Sequence, residues 1–330
     1  MAVIDPERRA ALAAAKLAGL VSGHLDSAVG EPSAAGSAAA IVVGSTAWVY
    51  QPHAAADPLG SAIVWAAHHQ CDEIGLIVDE PPPLLVAGLA GCRDGVRGFV
   101  AEGRGLRSID TTEVFFPDEP ARPSFDHPLV DSLRAEGLEI VPEHGAWLGE
   151  VLGLEVARVS GDDAAPVVAL GVGAYDRGAF EALYPDDSPL EALPRVVALV
   201  REHRAPGAPP HLLNRLVHER WLRAAVMAAP AAVGAVSLDA IAGLAPRPGL
   251  HEVASAAAIG ATASGSVLMV SGAGIDPGLI SSAAGLVARY GPDRVVLVLA
   301  AGDRHPAIVG AARYLGAPAD VVEIAAPWAL

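Results

Sequence analysis

Lysine is all but missing from this chain: of 22 Lys-or-Arg positions only Lys16 is lysine. A Walker A loop needs a lysine on the phosphates, and a Schiff-base enzyme needs a reactive amine. Neither can be built around the glycine turn described below. Cysteine is scarce as well. Cys71 and Cys92 are too few for a disulfide framework and fit a reducing, cytoplasmic compartment, with a buried structural role expected. Aromatic residues make up 5%, which leaves few stacking platforms. Positive charge is in deficit, the formal net charge being −16. That balance disfavours non-specific binding to nucleic acid or anionic membrane, which depends on clustered Lys and Arg. A clean membrane span is also lacking. Residues 253–275 carry no charge and are long enough to cross a bilayer, but serine, threonine and glycine interrupt them throughout. Nor does the N-terminus read as a secretory signal. Arg8-Arg9 precede an alanine-rich run, yet Asp5 and Glu7 sit in the supposed basic region and Lys16 breaks the apolar one, so an amphipathic helix is expected.

What is present is length and aliphatic bulk. At 330 residues and 52% hydrophobic, much of it alanine, the chain has room for two or three domains and many tightly packed helices. Its strongest local pattern is Ser266-Val-Leu-Met-Val-Ser271-Gly272-Ala-Gly274-Ile-Asp276-Pro277-Gly278. Val267 to Val270 form the short aliphatic run of a strand buried on both faces. Asp276 is suited to cap a following helix, and Pro277 suits its first position because the N–H that proline lacks would be unpaired there anyway. Gly272, Gly274 and Gly278 permit a tight turn and a close backbone approach, so a phosphate or carboxylate could rest on the helix N-terminus. The same residues also make a good strand-to-helix turn with no ligand at all, and Asp276 would repel an anion. The spacing Gly-x-Gly-x-x-x-Gly is not the dinucleotide fingerprint, whose third glycine comes one residue earlier. Ser271 is not in a nucleophile elbow, because Met269 stands where the first glycine would be.

Taken in order, residues 1–38 read as a helix and a Gly/Ser/Ala/Pro-rich linker, and residues 39–125 as a βαβ lobe. The lobe has strands at 40–50, 73–79 and 96–100 and helices at 58–71 and 84–92. Prolines 117, 120, 123 and 128 mark the next boundary. Residues 126–205 form a middle α+β segment: a helix at 126–136, a short strand at 138–141, a hairpin of 147–160 with 167–173, and a helix at 193–203. Residues 206–265 begin with a linker and a helix at 211–229, then turn into an Ala/Gly/Pro-rich connection. Residues 266–330 read as βαβαβ. The fold class expected is therefore α/β, with Rossmann-like parallel sheet lobes at both ends and a hairpin-containing middle.

Three clusters could carry chemistry. His68, His69 and Cys71 are possible metal ligands, but two residues on one helix face do not make a zinc site, and the helix dipole accounts for histidines at a C-terminus; no metal is expected. Arg220 projects from the apolar side of its helix with Arg223 one turn on, a pair able to clamp an anion, or equally stems packed on the core with their heads on a carboxylate or in water. Gly302-Asp303-Arg304-His305 follows the next expected strand, 294–299, and would lie beside the glycine turn if that strand and Val267–Val270 are adjacent. At the carboxyl edge of such a sheet, where ligands usually bind, Asp276, Asp303 and His305 could converge as catalytic groups, with Arg304 as an anion partner. Capping of the next helix, Pro306 at its first position, explains the same residues.

In the middle segment a helix, a hairpin and a helix with Glu143, Glu150 and Glu155 resemble the core of restriction-endonuclease-like nucleases. That family's metal site needs an acid and a lysine on the second hairpin strand, where Val168-Ala-Leu-Gly171 stands, so the resemblance implies a degraded relative without the chemistry. Glu150 and Glu155 are then expected on the solvent side of a strand. Leu213-Asn-Arg-Leu with Glu219-Arg-Trp-Leu-Arg223, Gly149 to Glu155, and Gly274-Ile-Asp276 together resemble a group of hypothetical proteins from alanine-rich, high-GC bacteria, which implies no function. The leading expectation is an α/β protein binding or acting on a small anionic metabolite or nucleotide at the C-terminal strand edge, with no cofactor identified. The alternative is a non-catalytic interaction or scaffold protein. Self-association is compatible with either.

Overall fold

The computed structural model describes residues 5–52, 57–116, 120–173, 176–178, 188–205, 207–209, 211–247 and 249–329. The chain opens with α1 (Pro6–Leu25), followed by β1 (Ser33–Ala35), β2 (Ala38–Val43) and β3 (Thr46–Gln51). Then come α2 (Pro58–His68), β4 (Glu73–Val78), α3 (Leu85–Ala90), β5 (Val96–Glu102) and β6 (Gly105–Ser108). The middle carries α4 (Pro128–Ala135), β7 (Glu139–Glu143), β8 (Ala146–Val151), β9 (Leu154–Ser160), β10 (Val167–Leu170) and α5 (Pro189–His203). A 3-10 turn at Leu212–Arg215 leads to α6 (His218–Ala228), β11 (Ser237–Ile241), β12 (Ala256–Ala261) and β13 (Ser266–Ser271). The last elements are α7 (Gly278–Tyr290), β14 (Arg294–Ala300), α8 (Pro306–Ala311) and β15 (Ala319–Ile324). The protein is α/β, and among the described residues no helix is long and apolar enough to cross a membrane.

Two compact units are present, and chain order does not define them. The first comprises Met1–Phe116, Pro277–Asp293 and His305–Asp320; the second comprises Pro117–Asp276, Arg294–Arg304 and Val321–Leu330.

In the first unit a six-stranded sheet runs in the order β1-β2-β3-β4-β5-β6. It is mixed: β3, β4 and β5 are parallel, while the other pairings are antiparallel. The expected parallel lobe is thus parallel only across its middle, because residues 40–50 hold two strands, turned at Gly44, and not one. Alternation places Ala39, Ile41, Trp48, Tyr50, Ile77 and Phe99 on one face, where Leu17, Leu20 and Val21 of α1 cover them. The helices α2 and α3 touch β3, β4 and β5 and also pack against α7 and α8. Asp57 caps α2 by accepting the Gly60 N–H at 3.0 Å, and its second oxygen accepts the Ser281 hydroxyl of α7 at 2.6 Å.

The second unit holds two sheets. One is the antiparallel order β10-β9-β8-β7, covered by Val130 and Leu133 of α4 and by Leu193, Val197 and Val200 of α5. The stretch 147–160, expected as one arm of a hairpin, is itself two strands joined through Leu152 and Gly153, both at positive φ. A Cβ on Gly153 would collide with the backbone of Arg220, so this turn can pack on α6 only as glycine. The other sheet is β11-β12-β13-β14-β15. Here β11, β12 and β13 form an antiparallel meander and β13 pairs with β14 in parallel. The Ala301 N–H donates to Ile324 O at 2.8 Å, so β14 and β15 end side by side. Two strands therefore lie in the stretch read as an Ala/Gly/Pro connection. Helix α6 touches this sheet through Val226, and Met227 joins the Val141, Leu148 and Ala240 cluster with the middle sheet.

Candidate functional site

The carboxyl ends of β13 and β14 meet in the second unit. Gly272 N–H donates to Val298 O at 3.0 Å, continuing the parallel ladder one residue past the strand. Gly274, at φ +69, then turns its N–H onto Asp303 Oδ2 at 2.7 Å. Next to it, Gly302 at φ +94 donates its N–H to Glu323 Oε1 at 3.0 Å. Gly274 and Arg304 are exposed, Asp276 and Asp303 half-buried. Three of the expected site residues, Gly272, Gly274 and Asp303, are thus tied into one edge by backbone donors.

The remaining expected residues fall differently. Helix α7 begins at Gly278 with Pro277 before it, one residue later than the capping pattern predicts. The division between units passes between Asp276 and Pro277 and again between Arg304 and His305. Gly278 and His305 therefore group with the first unit. His305 Nδ1 accepts the Ala307 N–H at 3.2 Å and caps α8, whose first residue is Pro306 as expected.

The arginine clamp has an occupant. Glu150, with no exposed side-chain surface, accepts from Arg220 Nη1 at 3.1 Å and from Arg223 Nη2 at 2.6 Å. Arg220 also pairs with Glu143. Glu155 binds Arg158 at 2.9 Å and Arg177 at 2.7 Å, and Glu219 binds Arg247. The carboxylates expected on the solvent side of a strand are therefore interior. The β8–β9 register shifts at Gly149/Glu150, and this bulge breaks the alternation on which that expectation rested. Burial alone pushes the Glu150 carboxyl up, but Arg223 and Arg220 outweigh it and hold Glu150 below the ordinary carboxylate value. Glu139, opposite Glu150 on β7, is pushed up by burial and by the Glu150 charge, with Arg223 offsetting only part.

Arg204 is fully buried, and among the described residues its hydrogen-bond acceptors are backbone carbonyls. It donates to the carbonyls of Leu152, Leu213 and Leu216 at 3.0, 2.7 and 2.9 Å and lies over the Trp221 ring at 4.3 Å. Burial pulls the guanidinium down to about 9, still charged at neutral pH. These contacts fix the break between the 3-10 turn and α6, where Val217 is held at φ 45. No local pattern singles out Arg204, because an arginine at the end of a helix ordinarily points to water.

In the first unit the lone lysine stands at the carboxyl end of β4. Lys16 donates to Asp79 Oδ1 at 2.6 Å and Tyr50 donates to Asp79 Oδ2 at 2.8 Å. Burial raises the Tyr50 hydroxyl, so it is a neutral donor and not a base. His69 stacks on Trp65 at 3.8 Å, and among the described residues no three His, Cys, Asp or Glu side chains are placed to hold a metal ion. Burial pushes both thiols up, Cys92 to about 12, so neither is a thiolate nucleophile. Comparison with protein-family models, with curated proteins and with solved structures finds no match.

Proposed function

We propose that the joined turns after β13 and β14 bind a small ligand carrying a carboxylate or phosphate, a metabolite or nucleotide, and that Asp303 holds the ligand's place in the free protein. One observation carries this reading: the exposed Gly274 N–H is already spent on a carboxylate, that of Asp303, at 2.7 Å. A donor that selects a carboxylate from its own chain can select one from solution, and strand carboxyl ends are where α/β sheets bind ligands. The ligand must displace Asp303 and face Asp276 and Glu323, so Arg304 is the residue that has to offset the repulsion. Thermal shift against a panel of nucleotides and small mono- and dicarboxylates tests it, with Asp303→Ala and Arg304→Ala beside the parent. Asp303→Ala should bind its best ligand more tightly than the parent, and Arg304→Ala more weakly. No shift for any protein with any panel member would end this reading.

A second reading, a non-catalytic interaction or scaffold protein with a degenerate nuclease-like middle, is favoured by the pairing of Glu143, Glu150 and Glu155 with arginines. Glu143 and Glu150 are spent on holding α6 to the middle sheet and Glu155 on Arg158 and Arg177, and carboxylates neutralised in this way are poor metal ligands. Recovery of a stoichiometric partner by the intact protein, with no ligand response, would select it.

A further inference from the structure

We infer that residues 6–102 and 218–324 are two copies of one unit, and that α2 and α3 form a self-association surface whose partner is the second copy, supplied within the same chain by α7 and α8. Each copy runs helix, three-strand antiparallel meander, helix, strand, helix, strand, in spatial order equal to chain order. In each, the third and fourth strands are parallel. The leading helix, α1 or α6, contacts the meander that follows it.

The match extends to residues. Ser37-Ala-Ala-Ala-Ile41 opens the second strand of one copy and Ser255-Ala-Ala-Ala-Ile259 that of the other. Ile41 pairs with Trp48 and Ile259 with Leu268, which equates Gln51 with Ser271, the last residue of each third strand. Both are buried polar residues, and both reach back to the start of the second strand: Gln51 to Ser37 at 3.0 Å, Ser271 to Ala256 O at 3.0 Å. Pro58, at the start of α2, is the seventh residue after Gln51, and Gly278, at the start of α7, is the seventh after Ser271. Asp57-Pro58 stands at the start of α2, and Asp276-Pro277 comes one residue ahead of the start of α7. The start of α3 comes twelve positions after the start of β4, and the start of α8 twelve positions after the start of β14. Helix propensity or hydrophobic period alone would not reproduce these intervals together with a buried polar residue at the same strand end.

Under this equivalence α2 corresponds to α7 and α3 to α8. The helices pack accordingly: α3 on α7, α2 on α8, and α2 on α7. That is the reciprocal pattern of a two-fold interface, in which each element meets its partner's counterpart. The contact is close. A Cβ on Gly91, at the end of α3, would collide with the Ala284 backbone of α7, and Gly310 of α8 stands 3.3 Å from Ala67 of α2 by the same construction.

The test is a protease site inserted between the exposed residues Thr112 and Glu113 of the full chain, in a variant whose melting temperature matches the parent before cutting. After cutting, the two fragments should co-elute at the volume of the uncut chain, and with Gly91→Val they should separate at a lower urea concentration. Separation of the cut parent without denaturant would overturn the self-association surface. Should the insertion prevent folding, a crystal structure of the unmodified chain decides the duplication itself. Residues 38–102 should superpose on 256–324 strand for strand, and a different strand order or direction would overturn it.

Discussion

Glu150→Gln tests whether the buried network in the second unit is structural. The substitution keeps the shape of the side chain and one carbonyl acceptor but removes the charge that Arg220 and Arg223 face at 3.1 and 2.6 Å. Arg220 keeps Glu143, whereas Arg223 loses the carboxylate it pairs with. Breaking one side of a buried ion pair costs about 3–5 kcal/mol, and the retained acceptor argues for the low end, about 3 kcal/mol. Against a total stability of roughly 5–15 kcal/mol this is a large fraction. The pH dependence gives the sharper check. The Glu150 carboxyl is held below its ordinary value of 4.5 in the folded state. Its contribution is therefore fully present above the unfolded value and is lost as pH falls through the folded one. Parent and variant should differ by a constant amount near neutrality and converge in acid. Urea unfolding followed by tryptophan fluorescence, with Trp221 buried on α6, reads both quantities. A variant within about 0.5 kcal/mol of the parent, the range of an ordinary surface change, or a gap that does not narrow in acid, would refute the reasoning.

Glu139→Gln should act in the opposite sense. Its folded value is raised, so the folded state binds the proton more tightly and the penalty of ionising it sets in as pH rises above 4.5. The variant should show a higher urea midpoint than the parent at pH 7 and no advantage below pH 4.5; a lower midpoint at pH 7 would contradict the assignment. Arg204→Met orphans the Leu152, Leu213 and Leu216 carbonyls and should cost roughly 3 kcal/mol or more, at about 1–3 kcal/mol per buried unsatisfied group. Arg204→Lys should recover only part of this, because one ammonium cannot span the three acceptors; full recovery in the unfolding midpoint would show that charge alone suffices.

How much of this was legible in the residues depended on what kind of signal each element carries. The aliphatic strand Val267–Val270 and its glycine turn are readable because the apolar run and the glycines after it agree, while the Asp-Pro pair misplaces the helix start by one residue. The strands Ser237–Ile241 and Ala256–Ala261 were not, since Ala-Ala-Ala-Ile-Gly-Ala has no alternation and alanine favours helix. Glu150 was misplaced by a bulge that alternation cannot foresee. Arg204 and the Arg220/Arg223 pair were visible as residues, but their partners come from strands and turns far away in sequence. The exposed meeting of Gly274 with Asp303 depends on β13 and β14 being neighbours, which the sequence leaves open, and the rarity of Lys16 carries no information on its place beside Tyr50 and Asp79. The repeat was open to inspection in the two Ser-Ala-Ala-Ala-Ile segments, but low-complexity composition makes such a match unremarkable until strand order supports it.

The duplication also changes how the candidate site residues weigh against one another. An Asp-Pro pair at or just before a helix start in both copies has an account that needs no ligand. In the first copy that account is explicit: Asp57 caps α2 and accepts the Ser281 hydroxyl. Asp276 stands one residue further from its helix but belongs to the same kind of helix entry, so a loss of stability on replacing it would say nothing about binding. Asp303 has no such counterpart. The equivalent stretch after β4 begins at Asp79, which directly follows its strand and takes hydrogen bonds from Tyr50 and Lys16, whereas Asp303 lies beyond a positive-φ glycine and takes one from the turn after β13. The two copies therefore agree in frame and differ at their strand ends. That divergence on a shared scaffold is where separate ligand preferences would reside, and it makes the Gly274–Asp303 contact, rather than Asp276, the feature on which the binding reading stands.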